Sequence, residues 1–486
     1  MLKASKELVQ SLQRFSNILS QTEIQAILDN QEQPLATGIR LNPLKTTPHK
    51  TINDLSQRYG WQLEPIHFCK NSWKIVDAEG SPGGTIEHRM GMYYLQDAAS
   101  MVPVSLFEFK TPHPFILDMA ASPGGKTTHL LDRSGDKGFI IANDGSQGRI
   151  PALRAVLETW GGINQVITNY PGESFGGWFP ETFDIVLLDA PCSMENLRPT
   201  PNHPLRETSA DERLRLKERQ VQLLTSGLQA LKIGGQLVYA TCSLAPEEDE
   251  AVVNAVLKKH TDAFEIKDVS SQFQFKAPGL NSFKGETYYP EITKALRLWP
   301  HLTGLSGFFC VSMTKQRAIK TNKEPSPSRV FATTHLKQAT HALQSQVFDQ
   351  IEENYGLDLV KILQAYALAL FQRFDQLFLI PQRYLDQFIA LPYEYIGMPL
   401  GQWNHGTLIP SHAFVSRFGK QFTRGKIQIA ESHIQMWISG RDIRHPQTDL
   451  APKGQFLLVN DQHGRNLGMG KLLPKRLRNM LPRGLI

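Results

Sequence analysis

Apolar positions recur at helical spacing through residues 5 to 30, which predicts an amphipathic helical start. The period then changes. GIRLNPLKTT (38–47) reads as a strand running into a turn, and WQLEPI (61–66) and NSWKIV (71–76) as short strands, so a small α+β unit is expected to end near residue 90. GMYYLQDAASMVPVSLFEF (91–109) reads as a loop followed by a helix. From about residue 113 continuous apolar runs alternate with amphipathic stretches. PFILDMAAS, GFIIANDGS, NQVITNY, FDIVLLDAP, GGQLVYATC and FFCVSMTK are the strands; KTTHLLDRS, RIPALRAVLETWG, residues 212–232 and residues 248–260 are the helices. Strands interleaved with helices predict an α/β fold with a mostly parallel, doubly wound sheet. Beyond it, KQRAIKTNKEPSPSRV (315–330) reads as a linker, residues 335 to 378 as a long helical segment, and the chain after 400 as short β-like runs with glycine turns. The expected divisions are therefore 1–105, 106–315, 316–334, 335–400 and 401–486.

Charge adds one fact to this pattern. Residues 401–486 hold 13 Lys and Arg against 4 Asp and Glu, whereas residues 1–400 hold 39 against 42. A basic terminal module on a near-neutral body predicts a polyanionic partner. No apolar run is long enough to cross a membrane, and the N-terminus lacks the apolar core of a secretory signal. The four cysteines, Cys69, Cys192, Cys242 and Cys310, form no close pair and no zinc-ligand spacing, so a reducing, cytoplasmic setting and no metal are expected.

The chemistry-bearing positions fall at strand ends, where open α/β sheets bind ligands. LDMAASPGGKTTHL (117–130) is a strand, a glycine turn and a helix start; Gly124 and Gly125 predict close approach of backbone to a ligand. A phosphate-binding Walker loop needs glycine where Ala120 stands, and the dinucleotide pattern G-x-G-x-x-G is absent. Asp144 ends the next strand, where an acid would accept hydrogen bonds from a ribose, such as that of S-adenosyl-L-methionine. Cys192 follows Asp189-Ala190-Pro191, and Cys242 follows Thr241, on strands expected to pair side by side. Two thiols and a carboxylate facing one cleft form the set needed to methylate cytosine at carbon 5. A thiolate adding to carbon 6 makes carbon 5 nucleophilic, a carboxyl group near nitrogen 3 stabilises the adduct, and a base must later remove the carbon 5 proton.

The order and spacing of PGGKTTHL, DAPCS and ATCS resemble the Nol/Nop/Sun (RsmB/RsmF-type) family of RNA 5-methylcytosine methyltransferases over roughly residues 35–315, with RLNPLK (40–45) and YYLQDAAS (93–100) as further similar segments. The resemblance implies a Rossmann-like methyltransferase domain at 106–315, with Ala120, Ala121, Ser122, Pro123, Gly124, Gly125 and Lys126 cradling the methionine end of S-adenosyl-L-methionine. It implies that Asp144, Arg149 and Pro171 lie along the nucleoside, and Asp189 between cofactor and base. Cys242 would be the nucleophile, Cys192 would assist product release, and Lys126 would sit near the thiols, with Gln96 and Asp97 in a supporting segment. Arg40, Asn42 and Arg198 are expected RNA contacts, as are Lys471, Lys475 and Arg476 in the tail, where GRNLGMGKLLPKRLRNMLPRG (464–484) is similar to a PUA-like module. Three segments depart from the family pattern: Pro171 in TNYPGESF, Met194 and Asn196 in PCSMEN where the family has glycines, and Ser306 in SGFF. The implied protein is a monomeric RNA enzyme with no membrane partner, acting on 16S ribosomal RNA, with transfer RNA as the alternative and a turnover-deficient ribosome assembly factor as a reading from another class.

Overall fold

The computed structural model describes residues 6–31, 35–198, 205–273, 278–444 and 454–485. Its centre is one sheet: β1 (Phe115–Asp118), β2 (Phe139–Asn143), β3 (Gln165–Thr168), β4 (Phe183–Asp189), β5 (Leu231–Thr241), β6 (Phe264–Lys267) and β7 (Phe308–Lys315). Their spatial order is β6-β7-β5-β4-β1-β2-β3. β1 to β5 run parallel, and β7 lies antiparallel between β5 and β6. This is the Rossmann-like arrangement expected from the alternating runs. Every residue of β2 and β3 is buried, as a sheet covered on both faces requires. Helices α1 (Gly125–Arg133), α2 (Ile150–Trp160), α3 (Ala210–Ala230) and α4 (Glu250–Lys259) supply the cover.

Ahead of this domain, helices Lys6–Arg14 and Gln21–Asn30 precede a four-stranded antiparallel sheet built from Thr37–Leu41, Gln62–Pro65, Ser72–Asp77 and Tyr93–Leu95. The first helix packs Leu8 and Leu12 against Leu197, Leu244 and Trp299, so the N-terminus covers the loops after β4 and β5.

The region after the catalytic sheet differs from expectation. Residues 335–378 are not one helical segment: helices His341–Tyr355 and Leu359–Tyr366 end at Gly356 (φ +60°) and Ala367 (φ +50°), and strands Leu368–Arg373 and Gln376–Pro381 follow. Short apolar runs such as LALF fit either period, and only pairing with a neighbour decides between them. The expected boundary at 400 also falls inside a strand, Met398–Asn404, of a five-stranded sheet spanning residues 337–410. Just before it, β8 (Tyr395–Ile396) adds to the catalytic sheet beside β3. The expected linker is an extended strap bound to the catalytic domain, with Ile319 buried and the Glu324 amide donating to the Gly177 carbonyl. A second five-stranded sheet, of Lys426–Gln428, Ile443–Arg444, Phe456–Asn460, Asn466–Leu473 and Arg476–Asn479, makes the basic module β-rich. No helix among the described residues is long and apolar enough to cross a membrane.

Candidate active site

β1 and β4 are neighbours whose connections leave in opposite directions, and the site forms at their carboxyl ends. Asp189 ends β4 opposite Ala240 of β5, so the two strands finish level. Each then turns sharply, and the two turns bring Cys192 Sγ within 3.2 Å of Cys242 Sγ. Both thiols are free and half-buried. Lys126, from the first turn of α1, reaches across with Nζ 2.6 Å from Asp189 Oδ2 and 2.9 Å from Ser100 Oγ. Burial opposes the charge on Lys126, but Asp189, then Cys242 and Asp118, outweigh it and the net shift is upward, so the lysine is a fixed cation facing Cys242. The Cys192 thiol is pushed up, first by its hydrogen bond to Cys242 and then by burial. It holds its proton beside the neighbouring sulfur.

The glycine turn is tied to both flanking strands. Met119 N donates to Leu187 O, Ala121 N to Asn143 O, and Ser122 N to Asp144 Oδ2 at 3.1 Å. The other Asp144 oxygen accepts from Ser146 N at 2.9 Å, and Arg149 lies 3.5 Å from Oδ2 while also bonding Ser122 O. Asn169 and Tyr170, just before the exposed Pro171, close over the same corner through the Asp144 and Asn143 backbone and side chain. The glycines are required by packing within the protein itself. Gly124 has φ +113°, and a Cβ there would meet Val156 at 2.9 Å; a Cβ on Gly125 would meet the Tyr94 ring at 2.9 Å. The free space at both is filled by protein, so they serve the packing of the turn.

Three expected RNA contacts are interior. Arg40 is 1 % exposed, paired with Asp132 and bonded to Thr128 Oγ1 and Gly125 O, which braces α1 from behind. Asn42 is fully buried, donating to Gly91 O and Trp160 O. Arg198 is 4 % exposed and donates to Gly304 O. A polar residue can point inward when a partner waits there, and these partners lie 92, 118 and 106 positions away in the chain. Lys471, Lys475 and Arg476 belong to a hairpin: Lys475 is exposed at its turn, Arg476 pairs with Asp442, and Lys471 lies over Phe456. Gln96 joins Arg40 to Ser100, and so links the N-terminal unit to Lys126.

The sequence reading missed the carboxylates behind the thiols. Glu248 is fully buried and accepts from Ser193 N (2.9 Å), Ser193 Oγ, Ser243 Oγ (3.2 Å) and Gln220 Nε2 (3.1 Å). Ser193 and Ser243 each follow one of the two cysteines, so one carboxylate fixes both turns. Asp249 holds Thr241 Oγ1 at 2.7 Å, and Glu250 holds Arg297, which bonds the carbonyl of Leu244. On the other turn, Glu195 pairs with Arg14 and Arg213. Met194 has φ +61°, a conformation that favours the glycine of the family pattern.

Asp118, at the end of β1, was also missed. It is fully buried, Oδ2 accepts from Thr127 Oγ1 at 2.7 Å, and Oδ1 has no partner among the described residues. Burial, and then Asp189 nearby, raise its pKa to about 7 despite the Thr127 bond. A raised carboxyl stabilises the fold below its unfolded pKa, and this contribution is lost as pH rises through about 7. Asp118→Asn removes that dependence. The melting temperature of Asp118→Asn relative to the unsubstituted protein should therefore rise between pH 4 and 8, by an amount corresponding to a few kcal/mol or less, about the scale of such a shift; a difference that stays flat with pH would mean that the carboxyl is already ionised.

Residues 108–314 match the family described as 16S rRNA methyltransferase RsmB/F, and residues 10–98 match the N-terminal domain of 16S rRNA methyltransferase RsmF. Ribosomal RNA small subunit methyltransferase F from Shewanella sp. (strain ANA-3) is 31 % identical over 99 % of this chain and 98 % of its own length. This chain belongs to the RsmB/F family. It is an RNA methyltransferase, and S-adenosyl-L-methionine is its cofactor. Among solved structures, a methyltransferase homolog protein from Pyrococcus horikoshii is 29 % identical, with a TM-score of 0.55 over 64 % of this chain and 100 % of its own. NSun6 from the same organism, solved with SFG, shares the fold at 20 % identity and a TM-score of 0.53, over 64 % of this chain and 98 % of its own. The RsmF relative is thus matched through the β-rich modules as well as the catalytic sheet.

Proposed function

We propose that this protein methylates carbon 5 of a cytosine in small-subunit ribosomal RNA, through a transient bond between Cys242 and carbon 6 of the ring. The observation that carries the reading is the 3.2 Å approach of the two sulfurs beside the Lys126–Asp189 pair. The name of the Shewanella relative supports the choice of RNA.

The cofactor supplies an electrophilic methyl group. The residues fit it: Asp144 retains free lone pairs for ribose hydroxyls, Arg149 flanks that carboxylate, the first N–H groups of α1 point out of the turn Ala120–Lys126, and Asp189 offers negative charge toward a sulfonium. Lys126 directs a fixed cation at Cys242, while Cys192 keeps its proton. Cys242 then adds to carbon 6, and the electron pair moves toward carbon 5, where the methyl group is accepted. Nitrogen 3 takes a proton from solvent as the adduct forms and returns it when the adduct breaks down, and Asp189, held by Lys126, accepts a hydrogen bond from that N–H. Once Cys242 is a thioether, neither its charge nor its hydrogen bond holds the Cys192 proton. Cys192 can release that proton to solvent and take the hydrogen from carbon 5; the carbon–sulfur bond breaks, and its electron pair returns to Cys242. The base must leave its stack to reach the thiols, at a cost of about a few kcal/mol, which contacts to the RNA backbone offset.

Bisulfite sequencing of total RNA from a deletion strain tests the substrate. One small-subunit cytosine should lose its protection. Loss confined to transfer RNA would reject the ribosomal assignment, and no loss together with no binding of S-adenosyl-L-methionine by calorimetry would favour an assembly factor without turnover.

A further inference from the structure

A cleft of about 380 Å³ lies outside the active site, between the N-terminal unit and the C-terminal module. Six cations line it, Lys45, Lys50, Arg58, Lys420, Lys426 and Arg465, against the two carboxylates Asp54 and Glu87. Two of the cations are already used: Arg58 and Arg465 both pair with Glu87, which is almost completely buried. Lys45 is turned inward, its Nζ donating to Met90 O, Thr159 O and Ser416 Oγ. Lys50, Lys420 and Lys426 are exposed and have no ion-pair partner among the described residues. Lys420 has only a hydrogen bond to Thr47 Oγ1 at 2.9 Å.

The cleft is a built feature. Lys45 ties the N-terminal unit to the end of α2 and to the C-terminal module. Arg417, 4 % exposed, bonds Leu44 O and lies 3.5 Å from Asp136 of the catalytic domain. Three lysines from two separate modules are thereby held around one opening before any ligand arrives, which lowers the ordering cost of binding. The remainder of the lining is Thr, Asn, Ser and Gly with a few aliphatic side chains, and His463 is its only ring. Stacking on bases needs aromatic faces, and unpaired ammonium groups with small polar donors suit phosphate oxygens. The cleft lies at the C-terminal end of α2, and the chain that lines it leads on to the cofactor turn. Met92 lines it, and Tyr94, two residues on, packs against Gly125 of the cofactor turn; in an extended strand that is about 7 Å.

We infer that this interdomain cleft seats the phosphodiester backbone of the RNA substrate at a distance from the target base, with Lys50, Lys420 and Lys426 as its contacts. This deepens the assignment of RNA as substrate and rests on it. The residues differ from those of the tail hairpin, and they take the place of Arg40, Asn42 and Arg198, which are interior.

The test is the full-length triple variant Lys50→Glu/Lys420→Glu/Lys426→Glu, with a Lys→Gln triple as the milder form that keeps the fold if the first does not. A small-subunit RNA fragment is titrated at several KCl concentrations by filter binding, and methylation is followed in parallel. Affinity should fall by roughly 10- to 100-fold and the salt slope by about two to three, near one per lost phosphate contact. KM for RNA should rise with kcat unchanged, and calorimetric binding of S-adenosyl-L-methionine should stay as it was. Unchanged affinity and slope in a folded variant overturn the inference even if the enzyme methylates RNA normally. Inactivity of the unsubstituted enzyme on every RNA, with binding still dependent on these lysines, would remove the proposed reaction and leave the cleft standing.

Discussion

Cys192→Ala is expected to accumulate a covalent protein–RNA complex that survives a denaturing gel. In this variant Lys126 still faces Cys242, so carbon–sulfur bond formation and methyl transfer proceed. The group placed 3.2 Å from Cys242 to remove the carbon 5 hydrogen is gone, and breakdown of the adduct should slow by roughly 10²- to 10⁴-fold, the usual contribution of a positioned base. Cys242→Ala should behave oppositely. It should form no adduct and lose methylation by roughly 10⁴-fold or more, the scale on which loss of a covalent nucleophile acts, with RNA affinity nearly unchanged. The two variants together assign the roles. Adduct in Cys242→Ala but not in Cys192→Ala would reverse them, and normal turnover by Cys192→Ala without adduct would remove Cys192 from the release step. Oxidation is not needed to explain either result, because both thiols are free.

Glu248→Gln is expected to cost nearly as much without touching any reacting atom. Its carboxylate receives four hydrogen bonds, three of them from the residues that follow the two cysteines. Glutamine has one acceptor oxygen and two N–H donors, so at least one of Ser193 N, Ser193 Oγ, Ser243 Oγ and Gln220 Nε2 must face a donor in a fully buried place. An unmet buried hydrogen bond costs about 1 to 3 kcal/mol. The expected result is a comparable loss of stability and a fall in kcat of roughly 10- to 100-fold, since small displacements of positioned groups act on that scale. KM for RNA and binding of S-adenosyl-L-methionine should hold. A structural defect alone would also lower the melting temperature, so the deciding readout is the spacing of the thiols. A trivalent arsenical that bridges two adjacent sulfurs should bind the unsubstituted protein tightly and Glu248→Gln weakly. Equal arsenical affinity in both would deny Glu248 its part in setting that distance.

The catalytic fold was legible because its signal is local. Continuous apolar runs such as FDIVLLD can be satisfied only by a strand covered on both faces, and β4 is one. The glycine turn, Asp144 at the end of β2, and Cys192 and Cys242 beyond β4 and β5 follow from the order of the runs, because strand ends in a parallel sheet all lie on one edge. The second half of the chain was less legible. LALFQR and QLFLIP are too short for period to separate helix from strand, and their pairing with each other decides it. Polar residues misled in both directions. RLNPLK suggested a basic surface, but Arg40 and Asn42 meet Asp132 and Trp160 inside the protein. Residues 248–260 read as an amphipathic helix, yet Glu248, Asp249 and Glu250 at its start are all fully buried, bonded to Ser193 and Ser243, to Thr241, and to Arg297 respectively.

By itself the sequence determined the order of strands and helices in the catalytic domain, the glycine turn between β1 and α1, and the two thiols on one edge of the sheet. These depend on spacing along the chain, and spacing is what a sequence carries. Tertiary structure alone decided which charges face water, that the two sulfurs touch, that one buried carboxylate sets both of their turns, and that lysines from opposite ends of the chain share a cleft. Charge and hydrogen bonding act through distances in space and through local dielectric, and Lys50 and Lys420 become neighbours only after the whole chain has folded.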